Sequence, residues 1–207
     1  MHALKTLVMT LALAAPAAAA GQYEAPANPP DPAAQLAEMV ALYDEVCLRA
    51  FPDDSAAARA VSRYRATPLS PADVRRFLHD DPGIGWRIEG RTGRFHLTIE
   101  QAPPYHACAV RTMTAHGFSD LGPYRSAAAR YESGGRFEEI DPIDRVVRDL
   151  RIVGGGDRRI DPDGSSESLL FAITTPAGEA REGGMTAVEV RFAHQYYRQA
   201  ATRPPAS

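Results

Sequence analysis

Gly83-Ile84-Gly85-Trp86-Arg87-Ile88-Glu89, then, after Gly90 to Gly93, Arg94-Phe95-His96-Leu97-Thr98-Ile99-Glu100, is the stretch on which the fold turns. Trp86, Ile88, Phe95, Leu97 and Ile99 alternate with Arg87, Glu89, His96, Thr98 and Glu100. A period of two marks strands with one face buried and the other outward. The glycine-bounded segment between them supplies a hairpin turn. Pro103-Pro104 breaks the second strand, and a third runs from roughly His106 to Thr114. The three form an antiparallel meander.

Upstream the period is helical. Asp31 is placed as N-cap with Pro32 at the first helical position, and Leu36, Met39, Val40, Tyr43, Val46, Cys47 and Ala50 recur at steps of three and four until Pro52. A second helix is expected over Asp54 to Tyr64. A third follows Ser70 and Pro71, with Val74, Phe77 and Leu78 inward. Downstream, a helix spans Tyr124 to Tyr131 and ends at Gly134-Gly135. Three more strands are expected near Asp149 to Val153, Leu169 to Thr175 and Thr186 to Gln195. Gly154-Gly155-Gly156 lacks dinucleotide-binding spacing and reads as a flexible connection. Asp161-Pro162-Asp163-Gly164-Ser165-Ser166-Glu167 is a hairpin tip and not an EF-hand, whose acidic spacing it lacks. Runs of helices and of strands without βαβ alternation give an α+β fold: N-terminal helices packed on a mainly antiparallel sheet of five to six strands.

The first twenty residues carry a different message. Lys5 precedes an apolar run from Leu7 to Ala15, and Ala18-Ala19-Ala20 offers a small-residue cleavage pattern, so residues 1–20 read as a secretory signal peptide. The run is too short for a membrane anchor and is interrupted by Pro16, and no cysteine stands at residue 21 for lipid attachment. Residues 21–30 are expected to be a Pro- and Ala-rich disordered tether, 31–199 a single domain and 200–207 a disordered tail. The mature chain has no later segment long and apolar enough to span a membrane and is placed in the periplasm or outside the cell.

Lys5 is the sole lysine, and the whole chain carries a net charge of −3. Beyond residue 20 every strong base is therefore arginine, and the balance is acidic, which argues against nucleic acid as a partner. Arg, Ala, Gly and Pro enrichment follows from a GC-rich coding sequence. The missing amine removes P-loop, kinase, pyridoxal-phosphate and Ser-x-x-Lys chemistries of the usual design. No Gly-x-Ser-x-Gly or His-Glu-x-x-His occurs either. No cofactor and no metal site is expected.

Export turns Cys47 and Cys108, the only cysteines, into a disulfide joining the first helix to the third strand. The alternatives are a redox pair or zinc ligands, but Cys-x-x-Cys is absent and Cys47 has no neighbouring ligand type at zinc spacing. A Cys, Trp, Cys order also hints at an immunoglobulin sandwich, but Cys47 sits in a helical period and Trp86 lies too far beyond it. Cys47-Leu48, Gly83-Ile84-Gly85-Trp86 and Cys108-Ala109-Val110 together resemble a loose group of small exported proteobacterial proteins with no assigned function, over roughly Leu36 to Met113. That resemblance implies a structural role for the cysteines and brings no catalytic residues.

Trp86, Tyr105 and His106 are the contact candidates. His106 stands beside Tyr105 at a strand entrance and is either a surface histidine or a base. His96 alternates outward on its strand, His116 lies in a loop, and His194 belongs to the final strand pattern. The expected function is a non-catalytic envelope or secreted binding module that presents a sheet face or groove, with Trp86, Tyr105, Tyr196, Tyr197 and Arg198 as surface residues of the contact-forming kind. The alternative is a small periplasmic hydrolase of an envelope polymer, its site drawn from His106 and carboxylates that meet only in the fold.

Overall fold

The alternation from Gly83 to Glu100 is realised as two paired strands, with Trp86 opposite Leu97 and Ile88 opposite Phe95. The computed structural model of the chain describes residues 30–182 and 186–198. The leader, nearly all of the tether and the tail expected from sequence lie outside the described residues. The strands are β1 (Ala66–Pro68), β2 (Gly83–Glu89), β3 (Arg94–Glu100), β4 (Tyr105–Thr114), β5 (Glu138–Val147), β6 (Leu150–Ile160), β7 (Ser166–Pro176) and β8 (Val188–Tyr197). They form one sheet in the order β1-β2-β3-β4-β8-β7-β6-β5. Every neighbouring pair is antiparallel.

The sheet thus has eight strands, two of them beyond the five to six expected. β1 is three residues long, too short to show a period. β5 is exposed along nearly its whole length, so no burial alternation exists for a sequence to display. It is an edge strand carrying Pro142, acidic side chains and an irregularity between Ile140 and Ile143, all devices that discourage pairing with another chain. Gly154, Gly155 and Gly156 are not a flexible connection but the middle of β6, paired with Ala172, Phe171 and Leu170 of β7. At Gly156, φ is +150° and a Cβ would stand 1.9 Å from the Leu169 carbonyl oxygen, so only glycine lets the strands close there.

The helices are α1 (Pro32–Leu42), α2 (Asp54–Val61), α3 (Pro71–Leu78), α4 (Gly122–Glu132) and the short α5 (Gly178–Glu182). The expected caps are in place: Asp31 accepts from the Ala33 amide and Ser70 from the Asp73 amide. α2 begins at Asp54 as expected, with Asp53 as the cap accepting from the Ala56 amide at 2.9 Å, and ends at Val61, three residues short of Tyr64. α1 runs on as a π-helical segment over Tyr43–Leu48, with Arg49 N bonded to Asp44 O and Phe51 N to Val46 O. This keeps Tyr43, Val46 and Cys47 facing the sheet, where all three are fully buried.

The inner face of the sheet, with Ile88, Phe95, Leu97, Ile99, Val110, Leu169, Val190 and Phe192, packs against α1, α2 and α4. Tyr43, Tyr124 and Phe192 form its aromatic centre, with Tyr124 and Phe192 stacked at 4.4 Å. Cys47 and Cys108 are bonded, Cα to Cα 5.4 Å, and staple the helical layer to β4. Such a bond belongs to an oxidising compartment. α3 does not join the other helices. It lies across the outer face, where Phe77 packs on His96 at 4.8 Å, and Gly83 leaves no Cβ between the sheet and Leu78. Among the described residues no helix is long and apolar enough to cross a membrane.

Candidate functional site

Tyr105 and His106 are consecutive on β4 and therefore point to opposite faces of the sheet. They head two separate polar clusters. Trp86 joins neither: it is half-buried on β2, packed against the core and paired in register with Pro68 and Leu97.

On the inner face one row of register partners runs across four strands: His106 on β4, Tyr196 on β8, Glu167 on β7 and Arg159 on β6. Phe51 closes over its end, with its ring 4.5 Å from His106, 5.4 Å from His194 and 5.7 Å from Tyr196. His106 Nε2 lies 2.9 Å from Asp54 Oδ1, and the other Asp54 oxygen accepts from Gln101 Nε2 at 2.5 Å.

Glu167, 2% exposed, is the best-satisfied carboxylate in this row. Its Oε1 accepts from Tyr131 at 2.5 Å and Tyr196 at 2.8 Å and lies 2.7 Å from His194 Nε2. Its Oε2 lies 2.7 Å from the Arg159 guanidinium. Burial pushes the Glu167 carboxyl up, but the hydrogen bonds from His194, Tyr131 and Tyr196 outweigh it and hold the group at about 2. Tyr131 moves the opposite way: burial first, then the bond to Glu167, raises its phenol to about 12. The second ring nitrogen of His194, Nδ1, faces the Cys47 carbonyl at 2.7 Å. Both His194 nitrogens thus face oxygen atoms at hydrogen-bonding distance. This network ties β6, β7, β8, α4 and the disulfide-bearing π-helical segment together and leaves no ring nitrogen of His194 aimed at solvent. Among the described residues no three His, Cys, Asp or Glu side chains gather as metal ligands.

The outer face is different. α3 covers β2 and β3, and the sheet beyond it lies open. Tyr105 and Tyr197, register partners with rings 5.4 Å apart, stand at one edge of a depression of about 510 Å³ that also takes in Arg158, Ser168, Leu170 and Gln195. A second hollow of about 150 Å³ adjoins it under the end of α3, with Leu170 and Gln195 common to both. Its floor is Ala107, Ala109 and Ala193, small side chains that leave the sheet low between taller neighbours. Arg111, Arg191, Glu100 and Asp81 line it. His79 and Asp80, at its rim, hold left-handed backbone with φ of 54° and 74°, an uncommon state for residues other than glycine.

Of the sequence candidates, Tyr105 and Tyr197 belong to the open face, whereas His106 and Tyr196 belong to the inner row; Arg198 lies just past β8, with its amide bonded to the Pro104 carbonyl. Arg111, Arg191, Gln195 and Glu167 are not among the candidates that the sequence singles out. One signal was available for the first: Arg111 is the only strongly charged residue in β4, set between Val110 and Thr112. Glu167 offers none, because it ends an Asp-, Gly- and Ser-rich segment with the composition of a hairpin tip. No protein-family model, no curated protein and no solved structure matches this chain.

Proposed function

We propose that this protein is a non-catalytic binding module of the cell envelope or exterior that takes a small or extended ligand along the outer face of its sheet. The observation that carries the reading is the pair of adjoining hollows over β4, β8, β7 and β6, joined at Leu170 and Gln195. They combine an apolar floor with a few converging polar groups and two tyrosines, the composition of ligand sites and of contact surfaces. The inner polar row supports the same reading from the other side, since Glu167 and His194 spend their hydrogen-bonding capacity on the fold.

The test is a binding screen of the chain from residue 21 onward against envelope glycans, peptides and lipid headgroups, repeated with Tyr105→Ala and Tyr197→Ala. Loss of at least about tenfold in affinity for the selected class in folded variants supports the reading. Binding indifferent to both substitutions, or no binding to any class, overturns it.

A second reading, a small hydrolase of an envelope polymer, is favoured by one contact, His106 to Asp54 at 2.9 Å, in which a partly buried imidazole is oriented by a carboxylate as a general base would be. Its test is turnover of peptidoglycan or another envelope polymer. Activity abolished by His106→Ala and by Asp54→Asn supports it, and turnover untouched by either sinks it.

A further inference from the structure

Arg111 is 6% exposed, and among the described residues it forms no ion pair. Its hydrogen bonds are two long ones of 3.4 Å, to the Phe77 carbonyl and to Thr98 Oγ1, and its Nε has no partner at all. The guanidinium rests over the Phe77 ring at 4.9 Å, a weak replacement for a carboxylate. Burying a charge without a counter-ion is among the costlier things a fold can do. Glu189 and Glu100 attract it without forming an ion pair, while Arg191 on β8 lies directly opposite it in register, and like charges facing one another across strands are unfavourable.

The unmet hydrogen-bonding capacity of Arg111 is answered if an acceptor comes from outside. Arg111 and Arg191 both line the 150 Å³ hollow under α3, and that hollow opens into the larger one through Leu170 and Gln195. Glu100 and Asp81 stand at the same hollow and Glu189 acts on Arg111, so the hollow has no excess positive charge to hold a dianion, and a monoanion is drawn by the open hydrogen-bonding edge of Arg111 and not by net charge. The partnerless Nε edge of a guanidinium matches the two oxygens of a planar carboxylate.

We propose that Arg111 and Arg191 form the subsite for a carboxylate carried by a ligand that lies on the alanine floor of the outer face. This rests on the reading of that face as a ligand site and assigns the chemistry of one end of the ligand.

The experiment follows the arginine Nε–H resonances of the chain by NMR during titration with acetate, glucuronate, glucose and inorganic phosphate. The Nε–H of Arg151, already bonded to Asp144, serves as the reference. Expected is a saturable shift of Arg111 with acetate and glucuronate, no shift of Arg151, and glucuronate affinity about tenfold or more weaker in Arg111→Met and in Arg191→Gln, as loss of a charged hydrogen-bond donor implies. Arg191 is exposed, so its variant remains informative if Arg111→Met does not fold. Glucuronate bound as tightly by either folded variant as by the wild type overturns the proposal, as does phosphate bound in preference to both carboxylates. Glucose perturbing Tyr105 and Tyr197 while no carboxylate moves Arg111 overturns the subsite and leaves the binding face standing. No ligand moving either set overturns the subsite and counts against the binding face as well.

Discussion

His194 Nε2 and Glu167 Oε1 lie 2.7 Å apart, with the imidazole fully buried and the carboxylate 2% exposed. The pair sits diagonally between adjacent strands, two residues out of direct register, since Glu167 faces Tyr196 and His194 faces Leu169. It is reinforced by two phenols and a guanidinium, so every charge in it is answered by a neighbour. Removing one member strands the rest.

Glu167→Gln is therefore expected to cost about 3 to 5 kcal/mol, the usual loss when one side of a buried ionic cluster is deleted. Urea unfolding of wild type and variant at neutral pH measures it, and a loss under about 1 kcal/mol would show that the cluster adds little.

The same carboxylate sets an acid limit. Its folded pKa, about 2, lies below its ordinary 4.5, so the folded state binds this proton less readily than the unfolded one. The contribution is fully present above about pH 4.5, falls progressively below it, and is gone below about 2, amounting to about 3 kcal/mol in all. Stability measured from pH 5 to pH 2 falls more steeply for the wild type than for Glu167→Gln.

His96 gives a second window at higher pH. Burial beneath Phe77, followed by the charges of Arg111, Arg94 and Arg87, lowers it from 6.5 to about 4, with Asp73 opposing. Because the unfolded chain takes up this proton first, stability drops as pH falls from about 6.5 to 4 and is unaffected by this group outside that range. The denaturation midpoint of His96→Phe is expected to change less between pH 7 and pH 4.5 than that of the wild type.

Reduction of Cys47–Cys108 releases a constraint between residues 61 apart, worth about 4 kcal/mol in the chain-entropy account. Unfolding of the wild type with and without reductant, beside the double Cys→Ala variant, measures it. Equal midpoints throughout would mean that packing around Cys47 alone holds α1 to the sheet.

Gly156→Ala places a methyl carbon against the Leu169 carbonyl at a backbone angle that side chains rarely adopt. A loss of more than about 2 kcal/mol is expected from strain and strand separation. Thermal unfolding followed by circular dichroism reads it out.

Legibility in the sequence followed burial. β2, β3 and β4 were readable because one face of each meets the core and the other does not. β5 was not, because water surrounds it on both faces, and the glycines of β6 looked like a break because what they accommodate, the β7 backbone, is distant in the chain. Strand order was hidden for a related reason: nothing local in Val188–Tyr197 says that it inserts between β4 and β7. The inner row depends on that insertion, since His106, Tyr196 and Glu167 become neighbours only through it. The cysteine pair was accessible because only two cysteines exist. Arg111 was visible as a residue but not as an unanswered charge, which only the neighbourhood reveals.

The placement of β8 has a consequence for the order in which the molecule comes into being. The eight-stranded sheet consists of two four-stranded halves, β1 to β4 and β5 to β8, whose contact is the β4–β8 pair. β8 follows the other seven strands in the chain, so during synthesis or any N-to-C passage β4 and β7 wait with unpaired edges until it arrives. Cys47 and Cys108 have both emerged long before. The staple is thus available to hold the first half together through the interval in which the sheet is still open at its centre.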